Sequence, residues 1–488
     1  MDVRESGSGI PGAEATRMLG LNASMAPAFR YHFSGIGGAG MNPLARLMRE
    51  RGHEVQGSDR SFDAGKNRDL ADRLRGLGIE LRPHDGKAVT DAIDRFVYST
   101  AVEPDTPELR AATRLGLELV PRPALLAEVV NGGAPGVAIA GTSGKSTITG
   151  MVAWLLRESR VTATVLGGAA LAGEGTNGCF TAGPAEGPVV AEACESDGTL
   201  VGYSPIIGLV HNISRDHAEL TSLRVQFASF GANCQRLLVN AGCAEAAELG
   251  RRYKAFSYGL APDADAVLEV SSLGPDRAQG ILRLSGGELC LDLPQPGRHN
   301  LENAAAAAVV GIELGLDPHT ISAILARFPG VARRFEVVGT TPSGIRVVDD
   351  YAHNGEKLRA ALTTAQAGPG RVVAVFQPHG FGPARFLRPE LKAMLPEVLR
   401  PEDRFCYSEI FYAGGTVTRD FSSQRLVEDL PSAMRCGFAA GHEAARLWVQ
   451  AVARPGDTVL VMGARDPDLP ALARSIFDSL SADALSAA

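Results

Sequence analysis

The segment at residues 141–147 constrains this chain most strongly, because it joins an apolar strand at 137–140 to a helical pattern at 148–156. Small residues let successive backbone N–H groups face a polyphosphate, while a lysine neutralises its terminal oxygens and a serine hydroxyl ligates Mg²⁺. The sequence therefore predicts a loop that binds a nucleoside triphosphate, formed by Gly141, Thr142, Ser143, Gly144, Lys145, Ser146 and Thr147. The alternative is a tight turn without a ligand, since Ile139 stands where the common motif has its first glycine.

A second glycine turn lies near the start of the chain, where Gly35, Gly37 and Gly40 form G-x-G-x-x-G between a predicted strand and a predicted helix. Asp59 follows at the distance where the acid of a βαβ dinucleotide-binding unit meets a ribose hydroxyl. The motif shows only that a pyrophosphate can approach a helix N-terminus. NAD and a UDP-linked sugar both satisfy it, and a turn without a ligand is the third interpretation.

Two short segments rich in polar residues follow apolar strands in the middle of the chain. Residues 192–197 read Glu-Ala-Cys-Glu-Ser-Asp after a strand at 188–191, and residues 211–217 read His-Asn-Ile-Ser-Arg-Asp-His after a strand at 206–210. Both groups leave strand ends, so both can face the phosphate loop. Carboxylates and a histidine suit a hard cation that bridges nucleotide phosphates, whereas a solvated acidic surface is the alternative. Cys194 lies among anions that disfavour its thiolate, so we interpret it as a packing residue.

Further polar groups flank later elements. Residues 297–303 read Gly-Arg-His-Asn-Leu-Glu-Asn before an alanine-rich helix that we expect to pack closely on a neighbour. Their asparagines can cap that helix or hydrogen-bond a nucleobase. An arginine pair stands at 333–334, and residues 349–353 read Asp-Asp-Tyr-Ala-His. An isolated arginine pair would be interpreted as solvent-exposed surface charge. An arginine supplied by another domain, however, is well suited to stabilise the charge on a transferring phosphoryl group.

The chain is long enough for several domains. Its 488 residues predict roughly three. Breaks rich in Gly and Pro at 131–136 and 328–330 separate three blocks, each predicted to be an open α/β sheet. In the third block, strands are predicted at 371–376 and 458–462.

Composition excludes several classes of protein. A formal net charge of -7 argues against a broad nucleic-acid-binding surface. The seven cysteines contain no CxxC pair, which favours free thiols over a disulfide framework or a zinc site. No apolar run reaches about 18 residues, and residues 1–28 contain no hydrophobic signal core. We therefore expect a cytoplasmic enzyme with a flexible tail at 1–28.

Taken in order, these motifs resemble those of the Mur ligases, the ATP-dependent amide-forming ligases of peptidoglycan precursor synthesis. The resemblance covers nearly the whole chain after residue 28. Its motifs stand at 35–41, 57–59, 98–101, 141–147, 192–197, Asn212 with Asp216 and His217, 297–300, 334–335, 350–353 and 376–379. The strings Gly-Ile-Gly-Gly-Ala-Gly-Met, Asp-Asp-Tyr-Ala-His and Phe-Gln-Pro-His are most similar to the branch that attaches L-alanine, or a recycled peptide, to UDP-N-acetylmuramate.

The resemblance implies an α/β protein with the three-domain Mur ligase architecture. A Rossmann-like domain at 29–131 would bind the UDP-sugar, a central P-loop ATPase domain at 132–331 would bind ATP, and a Rossmann-like domain at 332–488 would bind the amino acid or peptide. The implied reaction joins the carboxylate of UDP-N-acetylmuramate to an amine, L-alanine first, through an acyl phosphate. It requires ATP and Mg²⁺ and involves neither a nucleic acid nor a membrane.

The resemblance also implies roles for individual residues. Those implied to be catalytic are Lys145, Glu192, His217, Arg334 and His353. Ser146, Glu192 and His217 would hold Mg²⁺, His299 and Asn303 would face adenine, Arg334 would steady phosphate and Asp350 would meet the ATP ribose. The UDP-sugar would contact Gly35, Gly37, Gly38, Gly40, Asp59, Ser99 and Thr100, while the amine substrate would contact His379 and Arg385.

Departures from the family pattern gather where the amine should bind. Gly380 and Pro383 stand where the alanine-adding branch has arginines that grip a carboxylate, and Arg385 or Arg388 is the candidate replacement. Other departures are Asn354-Gly355-Glu356 for His-Pro-Thr, Ser143 for histidine and Gly415 for glutamate. No lysine lies between His217 and Lys254, where ligases that add later residues carry a modified lysine, and this favours the alanine-adding and recycling branch.

Three other functions stay open. The same chemistry could act on another amine or acyl substrate. An NAD-dependent oxidoreductase would use residues 35–40 but would leave Lys145, Ser146, Glu192 and His217 without a role. An inactive nucleotide-binding partner is compatible with the altered third domain, although the intact phosphate loop argues against it.

Overall fold

The computed structural model describes residues 28–99, 105–174, 178–196, 198–214, 219–412, 418–432 and 434–486. They form two compact units. The first contains the described residues up to Gly37 together with Ala45–Val120, and the second contains Gly38–Leu44 and the described residues from Pro121 onward.

The first part of the chain forms a sheet with flanking helices. Its strands are β1 (Arg30–Ser34), β2 (Glu54–Ser58), β3 (Glu80–Arg82), β4 (Arg95–Tyr98) and β5 (Glu118–Pro121), and its helices are α1 (Met41–Glu50), α2 (Arg60–Asp63), α3 (Arg68–Gly76) and α4 (Pro107–Leu115). The strand order is β3-β2-β1-β4-β5, and β1 runs parallel to both β2 and β4. The carboxyl ends of β1, β2 and β4 therefore meet at one edge, as predicted for a dinucleotide-type unit.

The sequence around α4 shows why a helix begins there. The Thr106 hydroxyl accepts the Leu109 N–H at 3.3 Å, and Pro107 occupies the first helical position, where no N–H is needed. Gly116 ends the helix in the left-handed conformation, with φ 66°. This start places Glu108 in the first turn, where it is completely buried.

The middle part of the chain forms a second sheet, centred on the strand that precedes the phosphate loop. Its elements are α5 (Arg122–Asn131), β6 (Gly136–Ala140), α6 (Lys145–Glu158), β7 (Thr164–Leu166), β8 (Phe180–Thr181), β9 (Val189–Ala193), β10 (Ile207–Val210), α7 (Leu220–Asn233), β11 (Arg236–Asn240), α8 (Ala244–Tyr253), β12 (Phe256–Gly259), β13 (Ala266–Leu273), β14 (Ala278–Leu284), β15 (Gly287–Leu293), α9 (Arg298–Glu313) and α10 (Pro318–Leu325).

The strand order of this sheet is β15-β14-β13-β12-β11-β10-β6-β9-β7-β8. Strands β9 and β10 flank β6 on either side and run parallel to it, which confirms the strands predicted at 188–191 and 206–210. All residues of β6 are buried, because a parallel strand in the middle of a sheet is covered on both faces.

Helices α6 and α9 pack closely against each other in this part of the core. Residues 304–308, a run of alanines in α9, are all fully buried. A Cβ added at Gly311 in α9 would lie 3.4 Å from Leu155 Cδ1 in α6, so a larger residue at this position would crowd the helix pair. The close packing predicted for the alanine-rich helix is therefore confirmed.

The last part of the chain forms a third sheet, with β16 (Glu336–Thr340), β17 (Arg346–Asp350), α11 (Gly355–Ala365), β18 (Val372–Gln377), α12 (Phe381–Val398), β19 (Arg404–Ser408), α13 (Gln424–Glu428), β20 (Cys436–Ala439), α14 (His442–Val452), β21 (Thr458–Gly463) and α15 (Leu469–Ser486). The order is β16-β17-β21-β18-β19-β20. Strand β16 is antiparallel to β17, while β18 is parallel to β19 and β21. Separate apolar clusters cover its two faces, as expected of an open α/β sheet.

All seven cysteines are free thiols, as the sequence predicted. Among the described helices, none combines the length and the hydrophobicity that crossing a membrane requires.

Candidate active site

The phosphate loop connects the end of β6 to the first turn of α6, and the neighbouring strand fixes its shape. Asn212 follows β10; its side-chain oxygen accepts the Ser143 N–H at 2.8 Å, and its backbone oxygen accepts the Thr142 N–H at 3.1 Å. Gly144 has φ 82°, and a Cβ at this position would lie 2.6 Å from Asn303 Oδ1. Only glycine fits such a position, so the loop depends on it.

Lys145 is the first residue of α6, and its ammonium group bends back over the loop. The Nζ atom lies 2.8 Å from Glu195 Oε2 and also donates to the Gly141 carbonyl. Burial alone would lower the pKa of Lys145, but the surrounding acidic groups, with Glu195 first among them and Glu192 contributing, together raise the pKa above its usual range. The loop therefore holds a fixed positive charge.

Ser146 and Glu192 provide adjacent oxygen atoms beside this charge. The Ser146 hydroxyl donates to Glu192 Oε2 at 3.1 Å, and Glu192 Oε1 accepts the Gly168 N–H at 2.5 Å. The third predicted metal ligand, His217, lies outside the described residues, as do Asp197 and Asp216. Within the described ranges, no group of three or more His, Cys, Asp and Glu side chains could hold a metal ion. The described residues therefore supply two of the three predicted metal-binding atoms, both oxygens that suit Mg²⁺.

Arg334 approaches the phosphate loop from the C-terminal part of the chain. Its Nη2 atom lies 3.5 Å from Ser146 Oγ. The residues on either side, Arg333 and Phe335, have φ values of 59° and 52°. A left-handed conformation costs a non-glycine residue roughly 1–2 kcal/mol. Asp350 stabilises the bend, because its carboxylate accepts the Phe335 N–H at 2.7 Å.

The two members of the arginine pair have different surroundings. Arg333 lies 3.2 Å from the buried Asp349 and donates to the Gly463 carbonyl at 2.9 Å. Burial raises the pKa of Asp349 to about 6 even with Arg333 beside it. Arg333 therefore supports the local fold, whereas Arg334 lies against the phosphate loop.

Asp350, predicted to meet the ATP ribose, already accepts two backbone hydrogen bonds. One comes from Phe335 and the other from Ala352, at 2.7 Å. A ribose hydroxyl would have to share these carboxylate oxygens. The predicted ribose contact stays a prediction, and the structure adds a positioning role for Asp350.

The first turns of α9 provide the residues predicted to face adenine. Asn303 is buried, and its Oδ1 atom accepts no hydrogen bond from any described residue. The neighbouring His211 lies 2.8 Å from the Tyr258 hydroxyl, and burial lowers the pKa of His211 to about 4. His211 is therefore neutral at pH 7, so it places no positive charge next to Asn303.

These groups line one cavity of about 970 Å³ in the second unit. The predicted site residues that line it are Thr142, Ser143, Gly144, Lys145, Ser146, Thr147, Glu192, His299, Asn303, Arg334, Asp350 and His353. Gly141 contributes its carbonyl to Lys145. The cavity lies at the upper end of the usual range for small-molecule sites.

A chain of hydroxyl groups connects the phosphate loop to α11. Thr142 Oγ1 lies 2.8 Å from Ser214 Oγ, which donates to Glu356 Oε2 at 2.9 Å. Glu356 belongs to the segment that departs from the family pattern. It therefore brings a carboxylate to the edge of the cavity.

His353, predicted to be catalytic, lies close to His379, predicted to contact the amine substrate. His353 Nδ1 lies 2.9 Å from the Tyr351 carbonyl, and since a carbonyl only accepts, this nitrogen carries the proton. The His353 and His379 rings are 5.5 Å apart, edge to face. The structure thus brings these two predicted residues together.

The arginines expected to grip a carboxylate are already paired. Arg385 donates to Asp420, and Arg388 forms two hydrogen bonds to Asp429, at 2.5 and 2.9 Å. An acidic partner neutralises each guanidinium. A substrate carboxylate would therefore compete with Asp420 for Arg385.

In the first unit, the glycine turn is closed by the acid that follows β2. Asp59 Oδ2 accepts the Gly37 N–H at 2.9 Å, and Asp59 Oδ1 accepts the Ser61 N–H at 2.8 Å. The predicted ribose contact of Asp59 stays a prediction beside this turn-closing role. Thr100 lies outside the described residues, whereas Ser99 follows the end of β4.

Sequence reasoning gave no individual role to four residues that shape the cavity, namely Glu195, Asn212, Ser214 and Glu356. The first three lie in the polar clusters at 192–197 and 211–217, which were expected to face the phosphate loop, and Asn212 also belongs to a motif of the family resemblance. Glu356 was noticed only as a departure from the family pattern. Their partners are distant in sequence, so only the fold shows what they contact.

Three family models match consecutive parts of the chain. Residues 30–133 match the catalytic domain of the Mur ligase family, residues 139–311 match the Mur ligase middle domain, and residues 333–465 match the Mur ligase glutamate ligase domain.

Individual relatives match over most of their length. The UDP-N-acetylmuramate–L-alanine ligase of Kineococcus radiotolerans is 37% identical over 90% of this chain and 93% of that protein. The protein of the same name from Sinorhizobium fredii is 34% identical over 89% of this chain and 94% of that protein.

Solved structures are also similar. The UDP-N-acetylmuramate–alanine ligase of Thermotoga maritima superposes with a TM-score of 0.73 and 26% identity, covering 93% of this chain and 99% of that one. A murein peptide ligase from Psychrobacter arcticus has a TM-score of 0.64, with 93% of this chain and 99% of that one covered. At 19% identity, this second likeness shows the fold alone.

Proposed function

Because the chain belongs to the Mur ligase family and is an ATP-dependent, ADP-forming ligase, we propose that it joins UDP-N-acetylmuramate to L-alanine in peptidoglycan precursor synthesis. The observation that carries this proposal is the meeting of Lys145, Glu192 and Arg334 at one cavity. The names of the relatives support the choice of both substrates.

The reaction proceeds in two steps. A carboxylate oxygen of the muramate forms a bond to the γ-phosphorus of ATP, and the bond to ADP breaks, which gives an acyl phosphate. The neutral amine of alanine then attacks the acyl carbon. The tetrahedral intermediate expels inorganic phosphate, and the nitrogen loses its proton to leave an amide.

The residues of the cavity suit the first step. Lys145 exchanges its contact with Glu195 for the phosphate oxygens, so the incoming negative charge meets a preorganised ammonium. Arg334 reaches the same place from the C-terminal part of the chain and stabilises charge on the transferring phosphoryl group. His299 and Asn303 bind the adenine at the start of α9.

Mg²⁺ fits the oxygen atoms that Ser146 and Glu192 present, with His217 as the third proposed ligand. Hard oxygen ligands next to a phosphate loop are the donors that this ion prefers. The metal would neutralise negative charge on the ATP phosphates. Ser146 and Glu192 would orient it, since Gly168 and α6 hold their positions.

The UDP-sugar binds the glycine turn that contains Gly35 and Gly37, with Gly38, Gly40, Ser99 and Thr100 as further proposed contacts. The reaction takes place in the cytoplasm, where ATP and nucleotide sugars are made. The formal net charge of -7 supports small-molecule substrates over a nucleic acid.

A ligase of the same chemistry with another amine is the second candidate. The observation that favours it is the pairing of Arg385 with Asp420 and of Arg388 with Asp429. Both arginines that could bind the carboxylate of the amino acid are therefore already bound to an acidic side chain. His379 and His353 remain close together in either case. Family membership argues against the NAD-dependent alternative, because both whole-length relatives cited above are ligases.

Phosphate release from ATP and Mg²⁺ tests the proposal. Purified protein is supplied with UDP-N-acetylmuramate and, in turn, L-alanine, other amino acids and the murein tripeptide. Release that depends on L-alanine is expected, with the amide product identified by mass spectrometry. Release only with a different amine would replace L-alanine, and no release with any amine would overturn the proposal.

A further inference from the structure

Glu108 is a fully buried carboxylate in the first turn of α4. Its Oε1 atom lies 3.1 Å from His32 Nε2, and its Oε2 atom lies 2.6 Å from Ser34 Oγ and 3.0 Å from His84 Nδ1. The ligase steps described above do not use this group. Because a buried carboxylate without partners is strongly destabilising, the three contacts are needed to keep it ionised.

The hydrogen bonds define where the protons lie on His32. The Gln56 amide nitrogen lies 3.0 Å from His32 Nδ1 and donates to the Ala88 carbonyl at 2.9 Å. An amide nitrogen only donates, so Nδ1 accepts. The proton of a neutral His32 is then on Nε2, which donates to Glu108.

His84 is the second imidazole that contacts Glu108. Its Nδ1 atom contacts both Glu108 and the Ser58 hydroxyl, the latter at 2.8 Å, and the hydrogen bond to Glu108 raises the pKa of His84. Burial alone would raise the pKa of Glu108, but the hydrogen bonds from its partners hold that pKa well below its usual range. Glu108 is therefore an ionised carboxylate held by two imidazoles and a hydroxyl group.

The network ends at the two serines that carry the glycine turn. Ser34 is the last residue of β1 and pairs in register with Ser58, the last residue of β2. The Ser58 carbonyl accepts the N–H groups of Gly35 at 2.8 Å and of Ile36 at 3.0 Å. The side chains of both serines thus face Glu108 and His84, while their backbones form the base of the turn.

We propose that Glu108 is a positioning residue for the UDP-sugar, which fixes the ends of β1 and β2 through Ser34, Ser58 and His84 so that the glycine turn is preorganised. This inference rests on the proposed function, because it takes the turn to be the site of the UDP-sugar pyrophosphate. A preorganised turn binds more tightly because less ordering is required on binding. Glu108 itself touches no substrate.

Glu108→Gln tests the proposal, since it keeps the shape of the side chain and removes its charge. The dissociation constant for UDP-N-acetylmuramate, measured by calorimetry, is expected to rise about tenfold. KM for the UDP-sugar rises in parallel, while KM for ATP and kcat at saturating substrates change by less than about twofold. A general loss of structure would instead lower kcat and affect both substrates.

Ser34→Ala is the second variant, because it removes one hydroxyl and leaves both histidine contacts of Glu108 in place. It is expected to raise the same dissociation constant about threefold, and it decides the question if Glu108→Gln fails to fold. Asp403→Asn is the matched control. Asp403 is a buried carboxylate in the last part of the chain that accepts hydrogen bonds from the Val372 N–H and Gln366, and its variant should leave UDP-sugar affinity unchanged.

The outcomes separate this inference from the function on which it rests. If wild-type protein binds the UDP-sugar and the folded Glu108 and Ser34 variants bind it equally well, Glu108 has no positioning role and the inference is overturned. An equal loss of affinity in Asp403→Asn would also overturn it. If wild-type protein does not bind UDP-N-acetylmuramate, the proposed function fails and this inference fails with it.

Discussion

The Nζ atom of Lys145 lies 2.8 Å from Oε2 of Glu195, and this carboxylate is only 3% exposed. The ammonium group of Lys145 is therefore paired with a carboxylate even when no nucleotide is bound. A phosphate that approaches Lys145 replaces one anionic partner by another, so the lysine stays charged throughout. Glu195 keeps the ammonium group inside the cavity and away from bulk water.

The Lys145–Glu195 pair predicts that stability and turnover respond differently to substitution. Lys145→Ala should abolish ATP turnover and leave UDP-sugar binding intact, and it should lower the free energy of unfolding by about 3 kcal/mol because Glu195 is left buried without a partner. Adding Glu195→Gln should restore most of the stability and none of the turnover. Phosphate release and urea denaturation measure the two effects. Retained turnover in Lys145→Ala would contradict the assignment of the loop.

Glu192→Gln tests the proposed metal site. The amide keeps the size of the side chain but loses the charge next to Ser146. The Mg²⁺ concentration for half-maximal turnover should therefore rise about tenfold. Titration of phosphate release with MgCl₂ measures it. Glu174→Gln, which changes an exposed carboxylate that contacts Arg157, serves as the control. An unchanged Mg²⁺ dependence in Glu192→Gln would remove Glu192 from the site.

Arg334→Lys tests whether the guanidinium acts on the transferring phosphoryl group. Lysine keeps the charge but lacks the planar fork, so kcat should fall by about a hundredfold while KM for the UDP-sugar stays the same. Steady-state kinetics with each substrate varied distinguish these effects. Arg359→Lys changes an exposed arginine on α11 and should have no effect. Similar kcat values for the two variants would exclude Arg334 from catalysis.

The network around Glu108 predicts a pH dependence of stability. The folded-state pKa of Glu108 lies below its usual 4.5, so its contribution is present above about pH 4.5 and is lost as the pH falls. The pKa of His84 lies above its usual 6.5, so its contribution is present below about pH 6.5 and is lost as the pH rises. The contribution of the pair is therefore greatest between these values.

Urea denaturation of the full chain across this pH range measures the prediction. Asp59 and Arg60 also act on His84, with opposite signs, and both remain in the variant. Glu108→Gln should remove the loss of stability at low pH and the loss that begins above about pH 6.5, since it takes away the group that raises the pKa of His84. Identical pH profiles for the variant and the wild type would contradict the network.

Much of this molecule could be predicted from its sequence. The phosphate loop was recognisable because Gly144, Lys145 and Ser146 stand between an apolar strand and a helix, a local pattern that needs no distant partner. The strands before Glu192 and His211 were predicted for the same reason. Since strand ends gather at one edge of a parallel sheet, their side chains could be expected near the loop.

Other features depend on contacts that no local pattern reveals. The ribose contact of Asp59 stays a prediction, but no local pattern indicated that its oxygens accept hydrogen bonds from Gly37 and Ser61. Arg385 was expected to be available to a substrate, but the fold brings Asp420 to it from 35 residues away. The separate environments of Arg333 and Arg334 depend on left-handed backbone at Arg333 and Phe335, between α10 and β16, which adjacent arginines do not signal.

The tight packing of α6 on α9 has a consequence for nucleotide selection. The phosphate loop caps one of these helices, the proposed adenine contacts begin the other, and Asn303 lies next to Gly144. The alanines of α9 and Gly311 allow the two helices to pack closely. The distance between the start of α9 and the phosphate loop is therefore set by the packed backbones and not by mobile side chains. We therefore expect the two packed helices to fix the distance between the adenine and the phosphates of a bound nucleotide.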